Sequence, residues 1–310
     1  MATKPTVGWI GVGRMGYQLA KRLLDAGYDV AVYNRTRVKA EPLTEFGATI
    51  VDKPVELAGR DIVFSMVSAS KDLEHVMLGA DGLLTDESRA PKIIGDASTV
   101  SSQASATVRT AAESRGVGFL ATPVSGNPKV ISVGKLTVAA SGPREIFDTA
   151  RPLLETWGRG VTYVGEGEAA RIVKIAHNVF LGVVTQSLAE ITVLAEKAGV
   201  SREAFLDFLN ESVMGSVFTK YKTPAVVNLD FTPTFTNVLL QKDFDLGLAA
   251  ARDLGVVMPV ASLTRDIIAQ EVGNGNVEQD FASLLLTAAR GSGLDIVPEY
   301  ASVNDGLEVE

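Results

Sequence analysis

The first half of the chain alternates short apolar runs with amphipathic stretches, whereas the second half carries helical patterns throughout. Residues 7–12 form an apolar run that ends in the turn Gly11, Val12, Gly13, Arg14, Met15, Gly16, and 15–26 then carries apolar residues at helical spacing before Gly27. Residues 29–33, 62–67, 93–96, 117–122 and 136–140 repeat the β-rich pattern, separated by helical or loop segments. That alternation predicts a parallel α/β sheet. From 169 to 198 there is no proline and one glycine, and apolar residues recur at three- and four-residue steps (Ile172, Ile175, Val179, Val183) up to a stop at Gly199. One long helix is expected, spanning roughly 45 Å at about 1.5 Å per residue. Beyond it, helical patterns are broken by turns at Ser201, Gly215, Pro224, Pro233, Gly255, Pro259, Gly273 and Gly275, with no convincing strand. Ser201 is placed to cap a helix bearing Phe205, Phe208 and Leu209, residues 239–254 form another, and 304–310 read as a loose polar tail. The expected organisation is one α/β domain over 1–164 and one all-α domain over 165–310, joined by the long helix.

Composition narrows what such a chain does. At 310 residues it has the length for two cores, and 46% hydrophobic with 21% charged residues suits a globular enzyme. A net charge of -8 argues against a nucleic-acid partner. No uninterrupted apolar run approaches the roughly 18 to 20 residues that cross a bilayer, so no membrane partner is expected. The opening residues show no small-residue cleavage site, and the expected location is the cytoplasm. With no cysteine, disulfides, thiolate zinc sites and cysteine nucleophiles are excluded, and the chain fits a reducing compartment. His75 and His177 are the only histidines and neither begins an HExxH pattern, so no metal site is expected. The GxSxG elbow of a serine hydrolase is absent too.

Strand, glycine turn and helix together make a Rossmann-type context for binding a dinucleotide. Gly11, Gly13 and Gly16 permit the tight turn, the close backbone approach to a pyrophosphate and close helix packing, while Arg14 and Met15 open the helix whose N–H groups face the anion. The second strand ends at Asn34, where a carboxylate would hold the adenosine ribose and repel a 2′-phosphate. A neutral amide followed by Arg35, Thr36 and Arg37 suits that phosphate instead, so NADP(H) is favoured over NAD(H). The alternative is that both arginines are merely solvated at a helix start. Ligands in such sheets sit at the carboxyl ends of strands, which brings in Val67, Ser68 and the run from Asp96 to Thr99. Ser98 and Thr99 could equally cap the next helix. At a further strand end, Ser125, Gly126 and Asn127 could turn backbone N–H groups and a hydroxyl toward a substrate carboxylate, or simply form a turn. On the long helix, Lys174, His177 and Asn178 share a face.

Taken in order, these residues resemble the β-hydroxyacid dehydrogenases, the family of 3-hydroxyisobutyrate dehydrogenase, tartronate semialdehyde reductase and, more distantly, 6-phosphogluconate dehydrogenase. The landmarks are GVGRMG from Gly11, DAST from Asp96, TPVSG from Thr122, Lys174 with Asn178, then DFTPTF from Asp230 and LLQKDFDLGLA up to Ala249. The resemblance implies a Rossmann domain, an all-α domain, hydride transfer with a nicotinamide cofactor, and a homodimer or homotetramer built on the helical half. It implies Lys174 as general acid/base, Ser125 and its neighbouring backbone as the carboxylate holder, Asn178 as a substrate-orienting group, and Lys242 near the nicotinamide ribose or substrate. The implied substrate is a small anionic 3-hydroxy acid, oxidised reversibly to its 3-oxo acid or semialdehyde. An ordinary lysine, with a reference pKa of about 10.4, takes an alcohol proton at neutral pH only if burial and nearby positive charge lower that value. Three departures stand out. Asn127 replaces a glycine common in relatives, His177 replaces an asparagine, and Arg171 stands where a lysine is expected, with a longer spacing from the glycines to Lys174. An imine reductase shares the architecture but usually lacks the lysine, and a silent NADP-binding module would dispense with Ser125, Lys174 and Asn178.

Overall fold

The computed structural model describes residues 4–307. Its first unit, which runs through Lys174, is built on one sheet. In chain order the elements are β1 (Val7–Ile10), α1 (Arg14–Asp25), β2 (Val30–Tyr33), β3 (Thr49–Val51), β4 (Ile62–Ser65), α2 (Ser70–Leu78), β5 (Ile93–Asp96) and α3 (Ser102–Glu113). There follow β6 (Gly118–Ala121), β7 (Val124–Ser125), α4 (Pro128–Ser132), β8 (Leu136–Ser141), α5 (Arg144–Leu154) and β9 (Gly158–Gly165). The strand order is β3-β2-β1-β4-β5-β6-β8-β7, with β9 beside β8. Strands β1, β4 and β5 are buried at every position, which is why they read as continuous apolar runs rather than alternating ones.

The sheet departs from the all-parallel expectation at one place. From β3 to β6 every pairing is parallel, but β8 runs antiparallel to both β6 and β7. The physical reason is the connection: only the five-residue α4 and short turns separate β7 from β8, too little chain for a parallel crossover. Under one face of the sheet Trp9, Phe64 and Trp157 meet edge to face, with ring centroids 5.8 Å and 4.9 Å apart. Strand order reverses between β1 and β4, and their carboxyl ends therefore flank a crevice.

Helix α6 (Ala169–Lys197) begins in this unit and continues into the second, which starts at Ile175. By length and hydropathy α6 could cross a bilayer, but half of its most apolar window is buried inside the protein. The second unit then adds α7 (Arg202–Glu211), α8 (Val217–Asn228), α9 (Asn237–Asp253), α10 (Pro259–Gly273) and α11 (Leu284–Gly291). Among the described residues its only β feature is the single bridge between Thr236 and Asp280. Ser201 caps α7 as expected, accepting from Ala204 N. Pro224 does not make a turn; it lies inside α8, where packing of Val226 and Val227 against Leu188 and Leu206 carries the helix through it. Nor is the whole polar end loose. Within the expected tail Leu307 is buried, and ahead of it Glu299 accepts from the first N–H groups of α7 (Arg202 N at 2.7 Å and Glu203 N at 2.9 Å). Residues 308–310 of the expected tail lie outside the described residues.

Candidate functional site

The glycine turn folds as it does because its backbone is crowded. Gly11 adopts φ 97°, and a β-carbon there would lie 2.2 Å from the Met66 carbonyl oxygen; one at Gly16 would lie 2.1 Å from the Gly11 carbonyl oxygen. Gly13 is different, since a β-carbon there would meet nothing within 4 Å. It is the N-cap of α1, with no side chain capping the helix and no acidic residue in its first turn. The space beside Gly13 is therefore open at the positive end of the helix dipole, which fits a pyrophosphate. Arg14 is exposed and Met15 packs against the core.

A cleft opens beside this turn, lined by Gly11, Val12 and Gly13, by Asn34, Arg35, Thr36 and Lys39, and by Val67, Ser68, Asp72 and His75. Asn34 is locked: its Oδ1 accepts from Val12 N at 2.7 Å and its Nδ2 donates to Thr36 O at 2.8 Å. The amide thus braces the glycine turn. Arg35 is 84% exposed and lies 3.5 Å from Asp72. Arg37 does not line the cleft, because its guanidinium pairs with Asp52. Lys39, which sequence reasoning missed, lines the cleft in its place. Its signal was weak, since a lysine in a short turn resembles any solvated lysine.

At the carboxyl ends of β4 and β5 the polar residues form a buried network. Asp96 is fully buried; its Oδ1 accepts from Ser65 Oγ at 2.6 Å and Ser98 Oγ at 2.7 Å, and its Oδ2 accepts from Arg171 Nη2 at 2.6 Å. Ser98 Oγ also accepts from Val67 N at 2.8 Å. The capping alternative for Ser98 and Thr99 does not hold, for α3 is capped by Ser101, whose side chain accepts from Ala104 N. Thr99 is half-buried in the turn after β5. Ser125 ends β7 opposite Thr137, and Gly126 takes φ 142°, a conformation that side chains rarely adopt. The side chain that Asn127 adds is used locally: it is buried, with Oδ1 accepting from Val130 N at 3.0 Å as the cap of α4 and Nδ2 without a hydrogen-bond partner.

On α6, Lys174 is half-buried and Asn178 is buried, one helical turn apart. Asn178 is gripped at both ends, its Oδ1 lying 3.0 Å from His177 Nδ1 and its Nδ2 donating to Asp243 Oδ2. Asp243 is buried on α9, beside the half-buried Lys242, whose Nζ is 3.2 Å from Asp243 Oδ1. The Asp243 carboxylate is thus interior and orients Asn178. Sequence spacing had no means of revealing this, because Asn178 and Asp243 are 65 residues apart. No cluster of three or more metal-ligating side chains is found among the described residues.

Comparison with known proteins bears on the whole chain. Residues 6–165 match the family model of the NAD binding domain of 6-phosphogluconate dehydrogenase, and 167–287 match that of the NAD-binding region of NADP-dependent 3-hydroxyisobutyrate dehydrogenase. Glyoxylate/succinic semialdehyde reductase 1 of Arabidopsis thaliana is 30% identical over 281 residues, covering 90% of this chain and 96% of that protein. The fold is similar to 3-hydroxyisobutyrate dehydrogenase of Mycobacterium tuberculosis, solved with L-serine, at a TM-score of 0.80 and 26% identity over 92% of this chain and 99% of the other. The 3-hydroxyisobutyrate dehydrogenase of Salmonella typhimurium aligns with a TM-score of 0.82 and 25% identity over 92% of this chain and 100% of the other.

Proposed function

This chain belongs to the β-hydroxyacid dehydrogenase family and is an NAD(P)-dependent dehydrogenase, and on that premise we propose that it interconverts a small 3-hydroxy acid and its 3-oxo acid or semialdehyde. The observation that carries the reading is the pair on α6: a half-buried lysine one turn from an asparagine whose carboxamide is held by a buried carboxylate. The nicotinamide, when bound, supplies or accepts the hydride. Lys174 takes the proton from the substrate hydroxyl during oxidation and returns it to the carbonyl oxygen during reduction. Asn178, fixed in orientation by Asp243 and His177, aligns the reacting carbon, while Ser125 and the Gly126 backbone bind the carboxylate. Lys242 contributes positive charge near the nicotinamide ribose or the substrate.

Preference for NADP(H) over NAD(H) is part of the same reading. Asn34 is neutral and already engaged, Arg35 and Lys39 line the cleft, and Thr36 adds a hydroxyl; together they suit a 2′-phosphate dianion. Asp72 beside Arg35 opposes this, but the cleft lining sets two cations, Arg35 and Lys39, against that one carboxylate.

The experiment follows NADPH and NADH absorbance in both directions with a panel of 3-hydroxy acids, semialdehydes and imines, for the wild type, Lys174→Ala and Arg35→Ala. One acid or semialdehyde turned over by the wild type, with kcat reduced about 10³-fold in Lys174→Ala and cofactor binding retained, is expected. Wild-type turnover in Lys174→Ala removes the lysine from its role, and turnover of imines alone replaces the substrate class. Arg35→Ala should weaken NADPH binding about tenfold and leave NADH unchanged; equal NADPH binding by both proteins would remove Arg35 from the phosphate site.

A further inference from the structure

The arginine at the start of α6 stands where relatives suggest a lysine, and its surroundings account for it in another way. Arg171 is 1% exposed, and its guanidinium donates in three directions to three parts of the sheet-containing unit. Nη2 donates to Asp96 Oδ2 at the end of β5, Nη1 to Ser98 O at 2.6 Å in the following turn, and Nε to Ser105 Oγ at 3.1 Å on α3. Asp96 and Ser98 are themselves tied to the end of β4 through Ser65 Oγ and Val67 N. The preceding turn is also held, since Ala170 N donates to Ser141 Oγ, which donates in turn to Gly167 O at 2.8 Å. Translation and rotation of the first turn of α6 are therefore both fixed against the strand ends that border the cofactor cleft.

A buried charge pair of this kind is a poor stabiliser. Desolvating both ions offsets most of their attraction, and well-packed apolar side chains of similar volume often do as well or better. What a planar, five-donor guanidinium does supply is orientation. Lys174 follows Arg171 by one turn on the same helix. A rotation of α6 by about 10° would carry a group ~6 Å from the helix axis through about 1 Å, and a misplacement of about 1 Å can cost a reaction roughly 10²-fold.

We propose that Arg171, braced by Asp96, Ser98 and Ser105, is a positioning residue that sets the rotation of α6 and thereby the placement of Lys174 for proton transfer. This rests on the reading of Lys174 as the acid/base. The test measures kcat, KM for both substrates, cofactor affinity by fluorescence titration and thermal midpoint for the full-length wild type, Arg171→Met, Arg171→Lys, Lys174→Ala and the double variant Arg171→Met/Lys174→Ala. The expected result for Arg171→Met is a kcat lowered ~10- to 100-fold, with cofactor affinity within about threefold of the wild type. Arg171→Lys should recover part of the loss. If Arg171 acts through Lys174, the double variant is no slower than Lys174→Ala alone. A kcat for Arg171→Met within threefold of the wild type, a loss matched by an equal loss of cofactor affinity, or a double variant slower than Lys174→Ala by the full Arg171→Met factor would each overturn the proposal. Should Arg171→Met fail to fold, Arg171→Lys decides by the same split between kcat and cofactor affinity. Retained turnover in Lys174→Ala is a separate outcome that removes the acid/base assignment first.

Discussion

Arg171 meets Asp96 at 2.6 Å in the sheet-containing unit, and Lys222 meets Asp280 at 2.6 Å in the helical unit; all four side chains are buried. The partners make the difference. Arginine spreads its charge over a fork that contacts β5, the following turn and α3 at once. Lysine places a point charge between Asp280 and Thr234 Oγ1, 4.3 Å from the centre of the Phe281 ring. Burial pushes the Lys222 ammonium below its ordinary pKa, and the adjacent Asp280 only partly opposes that push. Asp280 also accepts from Thr234 N, Phe235 N and Ala282 N, so this pair closes the 230–236 segment onto the helices. The contrast teaches that a buried cation can be there to hold a direction or to neutralise a hub. A rigid fork serves the first purpose and a flexible stem is enough for the second.

The comparison is broken most forcefully by removing the acid of each pair. Asp280→Ala should cost about 3–5 kcal/mol in urea unfolding, since it strands a buried ammonium and three backbone donors. Asp96→Ala should destabilise to a similar extent, but it should also depress kcat at temperatures where it remains folded; equal residual activity in the two variants would erase the distinction. Next in size, Arg171→Lys should lose about 2 kcal/mol, because an ammonium cannot reach Asp96, Ser98 and Ser105 together. The double variant Lys222→Met/Asp280→Asn should unfold at higher urea than Lys222→Met alone, for it removes the stranded charge as well as the pair. If it is the less stable of the two, the pair is more than a neutralised hub.

A third buried charge sharpens the contrast, because among the described residues no ion-pair partner lies at contact distance. Glu271 is fully buried, its Oε2 accepts from Asn276 Nδ2 at 2.7 Å and its Oε1 has no hydrogen-bond partner. Burial raises its pKa, against smaller lowering influences from Asn276 and Arg290. A raised value in the fold means that the folded state holds the proton more tightly than the unfolded chain. The associated stability is therefore present below the unfolded value of about 4.3 and lost as pH rises through the folded one. Glu271→Gln, which cannot ionise, should be more stable than the wild type by about 1 kcal/mol at pH 7, the usual size of such a relief. Urea unfolding between pH 4 and 8 should show that advantage shrinking as pH falls; a constant difference would mean that Glu271 does not titrate differently in the two states.

The parts of the fold that were legible in the sequence are those set by neighbours in the chain. Alternation of four-residue apolar runs with helical spacing, the turn at Gly11 that no side chain tolerates, and the long proline-free helix are decided within a few residues of themselves. Pro224 shows the limit of such signals, since a strong local breaker was overridden by the packing of α8. The candidate site was legible as a set of positions, but less so as a set of contacts. Lys174, Asn178, Ser125 and the Asn34 segment were expected from the sequence, whereas Lys39 at the cleft, the Asp243 contact to Asn178 and the enclosure of Arg171 were not.

By itself, then, the sequence determined the alternation of strands and helices in the first unit, the helical character of the second and the class of fold, because backbone propensity is a local property. Only the tertiary structure decided which buried charges meet. Arg171 and Asp96 lie 75 residues apart and Lys222 and Asp280 lie 58 apart. Nothing in a periodic pattern distinguishes an arginine that will be solvated from one that will be enclosed by a carboxylate, a carbonyl and a hydroxyl. The antiparallel course of β8 belongs to the same class, since it depends on where a returning segment comes to rest. Desolvation supplies the physical reason: the cost of a buried polar group is set by the partners that surround it, and those exist only once the chain has closed on itself.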